Sequence, residues 1–296
     1  MADRERVLLL GNGINRVGTT GYSFDGLMKQ LLETYDSAGK INKRDKPFPL
    51  LYEEILAGTN ETSRSLLEYV AGEISKLTAN GLHTLVWGHY DTILSTNYEY
   101  TLKVPALPFK TVKDPETRFS LYRCSTAKTA EGTKTLWQVH GEADKPNTLC
   151  LGYEHYIAYV GKIREYITEG DGKKKFAKLN TKLELLEKGE TVPLIHSWVD
   201  HFFFSDMDIL GLNLHTAETG FWWLLSYRSH KIRESKPALP KNNIRYFAFI
   251  SDTQDDKAKN TQAETIELLR ALGVSVETLR VKENDWGEAY RRALGA

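Results

Sequence analysis

The sequence predicts an α/β fold: a doubly wound, mainly parallel sheet with helical insertions. Two observations lead there. Short aliphatic runs, too short for helices and without polar alternation, read as strands buried on both faces, as at Arg6 to Leu10 and Ile244 to Ile250. Between such runs lie segments with apolar residues at three- and four-residue spacing, the pattern of helices with one buried face. Strand and helix alternation of this kind implies parallel strands joined by right-handed crossovers.

Taken in order, the first strand is stopped by Gly11. Residues 23 to 35 carry Phe24, Leu27, Met28, Leu31 and Leu32 on one helical face, with Ser23 as N-cap. Residues 48 to 57 and 62 to 80 repeat the pattern, so a helical insertion at about 23–90 separates the first two strands. Thr92 to Thr96 reads as the second strand and Thr135 to Val139 as the third. Thr148 to Leu151 reads as a short fourth, after the turn Asp144-Lys145-Pro146-Asn147. Residues 155 to 168 and 174 to 188, broken by Gly170-Asp171-Gly172, form a second helical insertion at about 153–206; the run Lys173 to Lys175 is a solvated helix start. Asp208 to Leu214 is a strand. A helix follows from about Ala217 to Lys231, with Phe221, Trp222, Leu224 and Leu225 in the core. Pro237 and Pro240 mark a loop, Ile244 to Ile250 is strongly β-prone, and Thr261 to Leu272 is a helix closed by Gly273. Val274 to Val281 and a helix from Trp286 complete the alternation. The chain holds no internal repeat and reads as one domain over residues 1–296.

Composition narrows the function classes. The 296 residues are 41% hydrophobic and 26% charged, enough apolar material for a sizeable core. Thirty-nine basic and 39 acidic residues cancel, so no net field favours nucleic acid or a membrane surface as partner. Cys124 and Cys150 are the only cysteines, which excludes a four-thiolate zinc module and a disulfide framework. Met1 to Arg6 is charged and leads directly into the first strand, without the apolar run of a signal peptide, and no segment approaches a membrane span. These features fit a protein of the reducing cytoplasm.

Three strand ends carry polar residues of the kinds chemistry uses. In an open α/β sheet, ligands gather at the carboxyl ends of the strands. Gly11-Asn12-Gly13 ends the first strand, where absent side chains let backbone amides approach a pyrophosphate and a following helix favours the anion. By itself this loop is equally a tight turn: Arg16 stands where a third glycine of the dinucleotide fingerprint falls, and no acidic residue ends a second strand about 20 residues on. Asn97 follows the second strand, where a carboxamide offers donor and acceptor at once to a ribose hydroxyl or a water; an asparagine there is also a common turn former. His140, between the third strand and Gly141, supplies an imidazole able to accept a proton at neutral pH. His155, His196, His201 and His215 lack metal-ligand spacing and read as core or helix-face residues, so no metal site is expected. Asp252 and Asp255-Asp256 lie at the sheet edge where an adenosine ribose would sit, although a helix N-terminal acidic cluster explains them better.

The order of these motifs resembles the sirtuin-like, NAD-consuming family. Leu8-Leu9-Leu10-Gly11-Asn12-Gly13-Ile14-Asn15-Arg16 is similar to its first glycine motif, with Asn15 where the deacylases carry serine. Ser95-Thr96-Asn97-Tyr98-Glu99 is similar to its threonine-x-asparagine-tyrosine-acid motif, and Val139-His140-Gly141 to its histidine-glycine motif. Leu210-Gly211-Leu212-Asn213-Leu214 resembles the later glycine strand, and Glu218 with Trp222-Trp223 the helix beyond it in bacterial sirtuin-like defence proteins. The resemblance spans residues 7 to about 228. It departs from the deacylases after the histidine-glycine strand, where residues 142 to 207 contain Cys150 alone in place of a four-cysteine zinc module.

The resemblance implies a Rossmann-like domain acting as an NAD glycohydrolase, a nucleotide-depleting effector of antiphage defence that releases nicotinamide and ADP-ribose from NAD. It implies Asn97 and His140 as catalytic, and Gly11, Asn12, Gly13, Asn15, Arg16, Thr96, Gly211 and Asn213 as residues that hold NAD, without a metal. A homo-oligomer and an activating protein or phage-derived trigger belong to the same expectation. A non-catalytic NAD or ADP-ribose binding module is the second reading, and a protein deacylase the third.

Overall fold

A computed structural model of the chain describes residues 4–17, 24–36, 39, 41, 46–113, 118–170, 178–188, 195–234 and 242–296. The described residues form an α/β structure around one eight-stranded, mostly parallel mixed sheet. In chain order the strands are β1 (Arg6–Leu10), β2 (Thr92–Ser95), β3 (Lys110–Lys113), β4 (Cys124–Thr129), β5 (Gly132–Gln138), β6 (Asp206–Leu210), β7 (Ile244–Ser251) and β8 (Ser275–Val281). Their order across the sheet is β3-β4-β5-β2-β1-β6-β7-β8. Pairing is parallel from β5 through to β8, whereas β3 and β4 add on antiparallel beyond β5.

The helices are α1 (Phe24–Tyr35), α2 (Phe48–Gly58), α3 (Ser63–Ile74), α4 (Gly81–His89), α5 (Tyr153–Thr168), α6 (Leu179–Glu187), α7 (His201–Phe204), α8 (Thr219–Glu234), α9 (Asp256–Ala271) and α10 (Trp286–Leu294). Strand alternation divides the core. Val7 and Leu9 of β1 point into a cluster with Tyr159 and Ile163 of α5, Phe202 of α7 and Phe221 and Leu224 of α8. Leu8 and Leu10 point the other way, to Val86 and Trp87 of α4 and Tyr290 and Leu294 of α10. Apolar burial on both faces explains why β1 is aliphatic at successive positions. A third cluster joins α1, α2 and α3 to Tyr98, Ala143 and Leu149, so the first insertion seats beside the ends of β2 and β5.

Several sequence expectations are corrected. The hairpin of β3 and β4 is absent from the sequence reading, because Cys-Ser-Thr-Ala-Lys-Thr is too polar to register as a buried strand; it survives by pairing with β5 through a tight turn between Thr129 and Gly132. β5 accordingly begins at Gly132, ahead of Thr135. Thr148 to Leu151 is no strand. A short 3-10 helix, Pro146–Thr148, leads into a segment held by the Cys150 amide on the His140 carbonyl at 2.9 Å. β6 stops at Leu210 and not at Leu214. The helix expected over residues 62 to 80 ends at Ile74 as α3, capped by Thr62, and a separate α4, capped by Asn80, begins only at Gly81. α9 begins at Asp256, five residues ahead of the apolar pattern, because Asp255 caps it with its carboxylate on the Ala258 amide at 2.7 Å. Ser23, Asp171-Gly172, the run Lys173 to Lys175, Pro237 and Pro240 lie outside the described residues.

The second insertion is anchored by a buried ion pair. Lys182 of α6 and Asp200 bond at 2.9 Å with side chains 1% and 0% exposed. The Tyr166 hydroxyl and the amides of His196 and Ser197 also donate to Asp200, at 2.7, 2.7 and 3.1 Å. A buried pair adds little over well-packed apolar residues, but removing one partner strands the other charge. Lys182→Met is expected to destabilise the fold by about 3–5 kcal/mol in urea titration. Adding Asp200→Leu should recover most of that loss, and an additive double variant would show that the pair is not coupled.

Candidate active site

The site begins where two parallel strands end side by side. β1 and β6 pair from Arg6 with Asp206 to Leu10 with Leu210, so both backbones turn at one level. The Gly11 amide donates to the Leu210 carbonyl at 3.0 Å and the Gly13 amide to the Gly211 carbonyl at 2.8 Å. A side chain at Gly11 would overlap the Leu212 backbone, and one at Gly13 would overlap the Tyr290 hydroxyl and Gly211. Gly211 has a φ of 64°, left-handed backbone that glycine adopts without cost. Tyr290 of α10 is buried against both turns, and burial pushes its phenol far above the ordinary range. These glycines thus dock backbone on backbone, with the Gly11 and Gly13 amides engaged by carbonyls. The turn leads into a 3-10 helix, Asn12–Arg16, of five residues and not into a long α-helix.

β2 delivers the next group. The Thr96 amide donates to the Leu10 carbonyl at 3.0 Å, which ties the end of β2 to that of β1. Asn97 is buried, its backbone amide on the Ser95 hydroxyl at 3.1 Å and its Nδ2 facing the Gly11 carbonyl at 3.5 Å. Its Oδ1 has no hydrogen-bond partner among the described residues. Behind it, Asn15 donates to Asn12 at 2.8 Å and to the Glu99 carboxyl at 2.7 Å. The Asn15 carbonyl contacts His83 Nε2 at 3.0 Å, while His83 Nδ1 accepts the Asn80 amide at 2.9 Å, which leaves the proton on Nε2. Burial lowers His83 to about 4, so it is neutral. Burial also raises Glu99, opposed by the Asn15 hydrogen bond.

β5 delivers His140, buried with its ring against Tyr156, Tyr159 and Phe221 at centroid distances of 5.7, 5.9 and 5.4 Å. Glu218, immediately before α8, brings its Oε2 to 3.7 Å from His140 Nε2, and Tyr156 lines the cavity with it. Burial lowers His140 to about 3 and raises Glu218 to about 8. At neutral pH the imidazole is unprotonated and the carboxyl holds its proton.

All of this faces one cavity of about 690 Å³, inside the range of roughly 300–1,000 Å³ usual for small-molecule sites. Asn97, His140 and Thr96 line it together with Glu218 and Tyr156. Asn12, Gly13 and Arg16 form its wall at β1, and Gly211 and Asn213 its wall at β6. Gly11 and Asn15 lie behind that wall and act through their neighbours. Asp255 borders the cavity while capping α9; Asp252 and Asp256 do not line it. Sequence reasoning singled out Glu218 through the resemblance alone and passed over Tyr156 and Tyr290, since an acidic residue before an apolar helix reads locally as a dipole partner and a tyrosine within one as core.

Three further histidines have local partners. His155 accepts the Leu151 and Gly152 amides at 3.2 and 3.0 Å, His201 pairs with Ser205 at 2.8 Å, and His215 with Asn213 at 3.0 Å. Among the described residues no group of three or more His, Cys, Asp or Glu could hold a metal ion, and no described helix is long and apolar enough to cross a membrane. No protein-family model matches the chain, and no curated protein matches it.

Two outcomes follow. Gly211→Ala should destabilise by about 1–3 kcal/mol through its positive φ and the Tyr290 contact. Tyr290→Phe in the same chain should cost less than the sum of the two changes, and strict additivity in a double-mutant cycle would refute the contact. Glu218 keeps in the folded chain a proton that the unfolded chain has lost, between about 4.5 and about 8. Its contribution to stability is therefore complete below the lower value and disappears as pH rises through the upper one, by at most about 1.4 kcal/mol per pH unit. Unfolding of Glu218→Gln at pH 5 and pH 8 should show a flatter pH dependence than the parent chain; equal slopes would contradict a buried, protonated Glu218.

Proposed function

We propose that this chain is an NAD glycohydrolase, releasing nicotinamide and ADP-ribose from NAD, in a sirtuin-like, Rossmann-like domain. One observation carries the reading: Asn97 and His140, from the ends of neighbouring strands, meet in the cavity whose wall is the pair of docked glycine turns. The doubly wound form of the sheet belongs to the same reading. It is supported by strand order running outward from β1 in both directions and by apolar clusters on both faces.

The nicotinamide of NAD is a cationic leaving group, so the C1′–N bond breaks without a strong acid, and its electron pair neutralises the pyridinium ring. Water then forms the new C1′–O bond and gives up a proton. Asn97, with an unpartnered Oδ1, suits a ribose hydroxyl or that water. His140 is the proton acceptor, unprotonated throughout the neutral range. Arg16, exposed on the cavity wall, provides a positive charge for the pyrophosphate, while the engaged Gly11 and Gly13 amides shape the wall. Phe48 and Ile74 of the first insertion complete the enclosure on their side. A cytoplasmic role as a nucleotide-depleting antiphage effector, assembled as a homo-oligomer and released by a protein or phage-derived trigger, rests on the sequence resemblance and is part of the proposal.

Purified protein incubated with NAD should release nicotinamide, measured by chromatography. His140→Ala and Asn97→Ala should each reduce release by about 100-fold or more while remaining folded. NAD that raises the melting temperature without any nicotinamide release would favour the binding-module reading.

A further inference from the structure

A histidine enclosed by three aromatic rings is a poor proton acceptor, because the imidazolium it would become has lost its hydration. An anion beside it restores that basicity. Glu218 is the carboxyl within reach: it lines the same cavity, stands 3.7 Å from His140 Nε2, and is itself 8% exposed. Its position is fixed from several sides. The Glu218 amide donates to the His215 carbonyl at 2.9 Å, and its carbonyl accepts the amides of Phe221 and Trp222 at 3.1 Å each. The other titratable groups facing it are Tyr156 and Tyr159 from α5 and Cys150 from the segment after Pro146–Thr148; burial raises all three, so they are neutral at pH 7. Among the described residues no lysine or arginine pairs with it. Keeping a carboxyl in such a pocket opposes folding, and α8 could be opened by a smaller polar residue.

We propose that ionised Glu218 is the counter-charge that makes His140 a competent proton acceptor, the two side chains working as one unit on the attacking water. This rests on the glycohydrolase reading above. In the step, a water O–H bond breaks and its oxygen bonds to C1′ as the C1′–N pair leaves with nicotinamide. The proton goes to His140 Nε2 and from there to the Glu218 carboxylate beside it, the member of the pair that holds the proton at rest. Glu218 is thus a positioning residue acting through His140, and the active form of the pair is the one in which the carboxyl has lost its proton. The rate should climb with pH until that proton has gone, the midpoint belonging to the pair.

The test is the pH dependence of nicotinamide release from NAD, with kcat and KM for the intact chain, Glu218→Gln and Tyr156→Phe, each checked by thermal unfolding. The intact chain should show an ascending limb. Glu218→Gln should lose that limb and about 100-fold in kcat, with KM for NAD within about threefold. Tyr156→Phe removes the neighbouring hydroxyl that lowers the pKa of the carboxyl, so its limb should move to higher pH. A folded Glu218→Gln with unchanged kcat and the same limb overturns the proposal and leaves the glycohydrolase reading intact. If Glu218→Gln does not fold, an unmoved limb in Tyr156→Phe overturns it equally. Absence of nicotinamide release by the intact chain at every pH would sink the glycohydrolase reading first, and this inference with it.

Discussion

Everything at the candidate site depends on the close docking of two backbone turns. The ends of β1 and β6 approach so tightly that Gly11, Gly13 and Gly211 have no room for side chains, and the Gly11 and Gly13 amides pair with the Leu210 and Gly211 carbonyls. Tyr290 closes the contact from α10, the last helix of the chain, while Thr96 links it to β2. An interior this dense transmits any change in one turn to its neighbours. The cleft therefore has a rigid floor assembled from the first, middle and final parts of the sequence.

On that floor the walls are unusually apolar for a place that gathers acids and bases. Tyr156, Tyr159 and Phe221 enclose His140, and the buried His83–Asn15–Glu99 chain backs the Asn97 loop. Burial favours the uncharged form of each ionisable group, so His83 and His140 lie low and Glu99 and Glu218 lie high. The His140–Glu218 pair therefore holds no charge at rest and develops it only when a ligand or a pH change supplies the counter-charge. Opposed shifts in adjacent groups are a recognised mark of acid–base sites, although structural networks produce them too. The His83–Asn15–Glu99 chain is one of the latter: its members satisfy each other, and Asn15 stands behind the cavity wall.

The two helical insertions do different work. α1 to α3 form a core of their own and carry Phe48 and Ile74 to the cleft. The second insertion brings the Tyr156 and Tyr159 rings to His140 and fixes α6 through the buried Lys182–Asp200 pair. Among the described residues between β1 and β2 and between β5 and β6, no insertion helix is replaced by a strand, so the sheet keeps its parallel order from β5 to β8 while the surroundings of the strand ends are rebuilt.

The sequence by itself determined the α/β class, most of the strands and the convergence of Asn12, Thr96, Asn97 and His140 on one edge, because aliphatic runs that end in polar or glycine residues report burial and termination locally. It missed the β3–β4 hairpin, whose polar strands are defined only by their partner β5, and it took Thr148 to Leu151 for a strand because a short apolar run does not reveal whether a partner is there to receive it. Tertiary structure alone decided that the Gly11 and Gly13 amides face carbonyls, that Tyr290 seals the turns, and that Glu218 stands beside His140. Each of these is a contact between residues distant in sequence, and local pattern carries no information about which distant group will fill a given space or share a given proton.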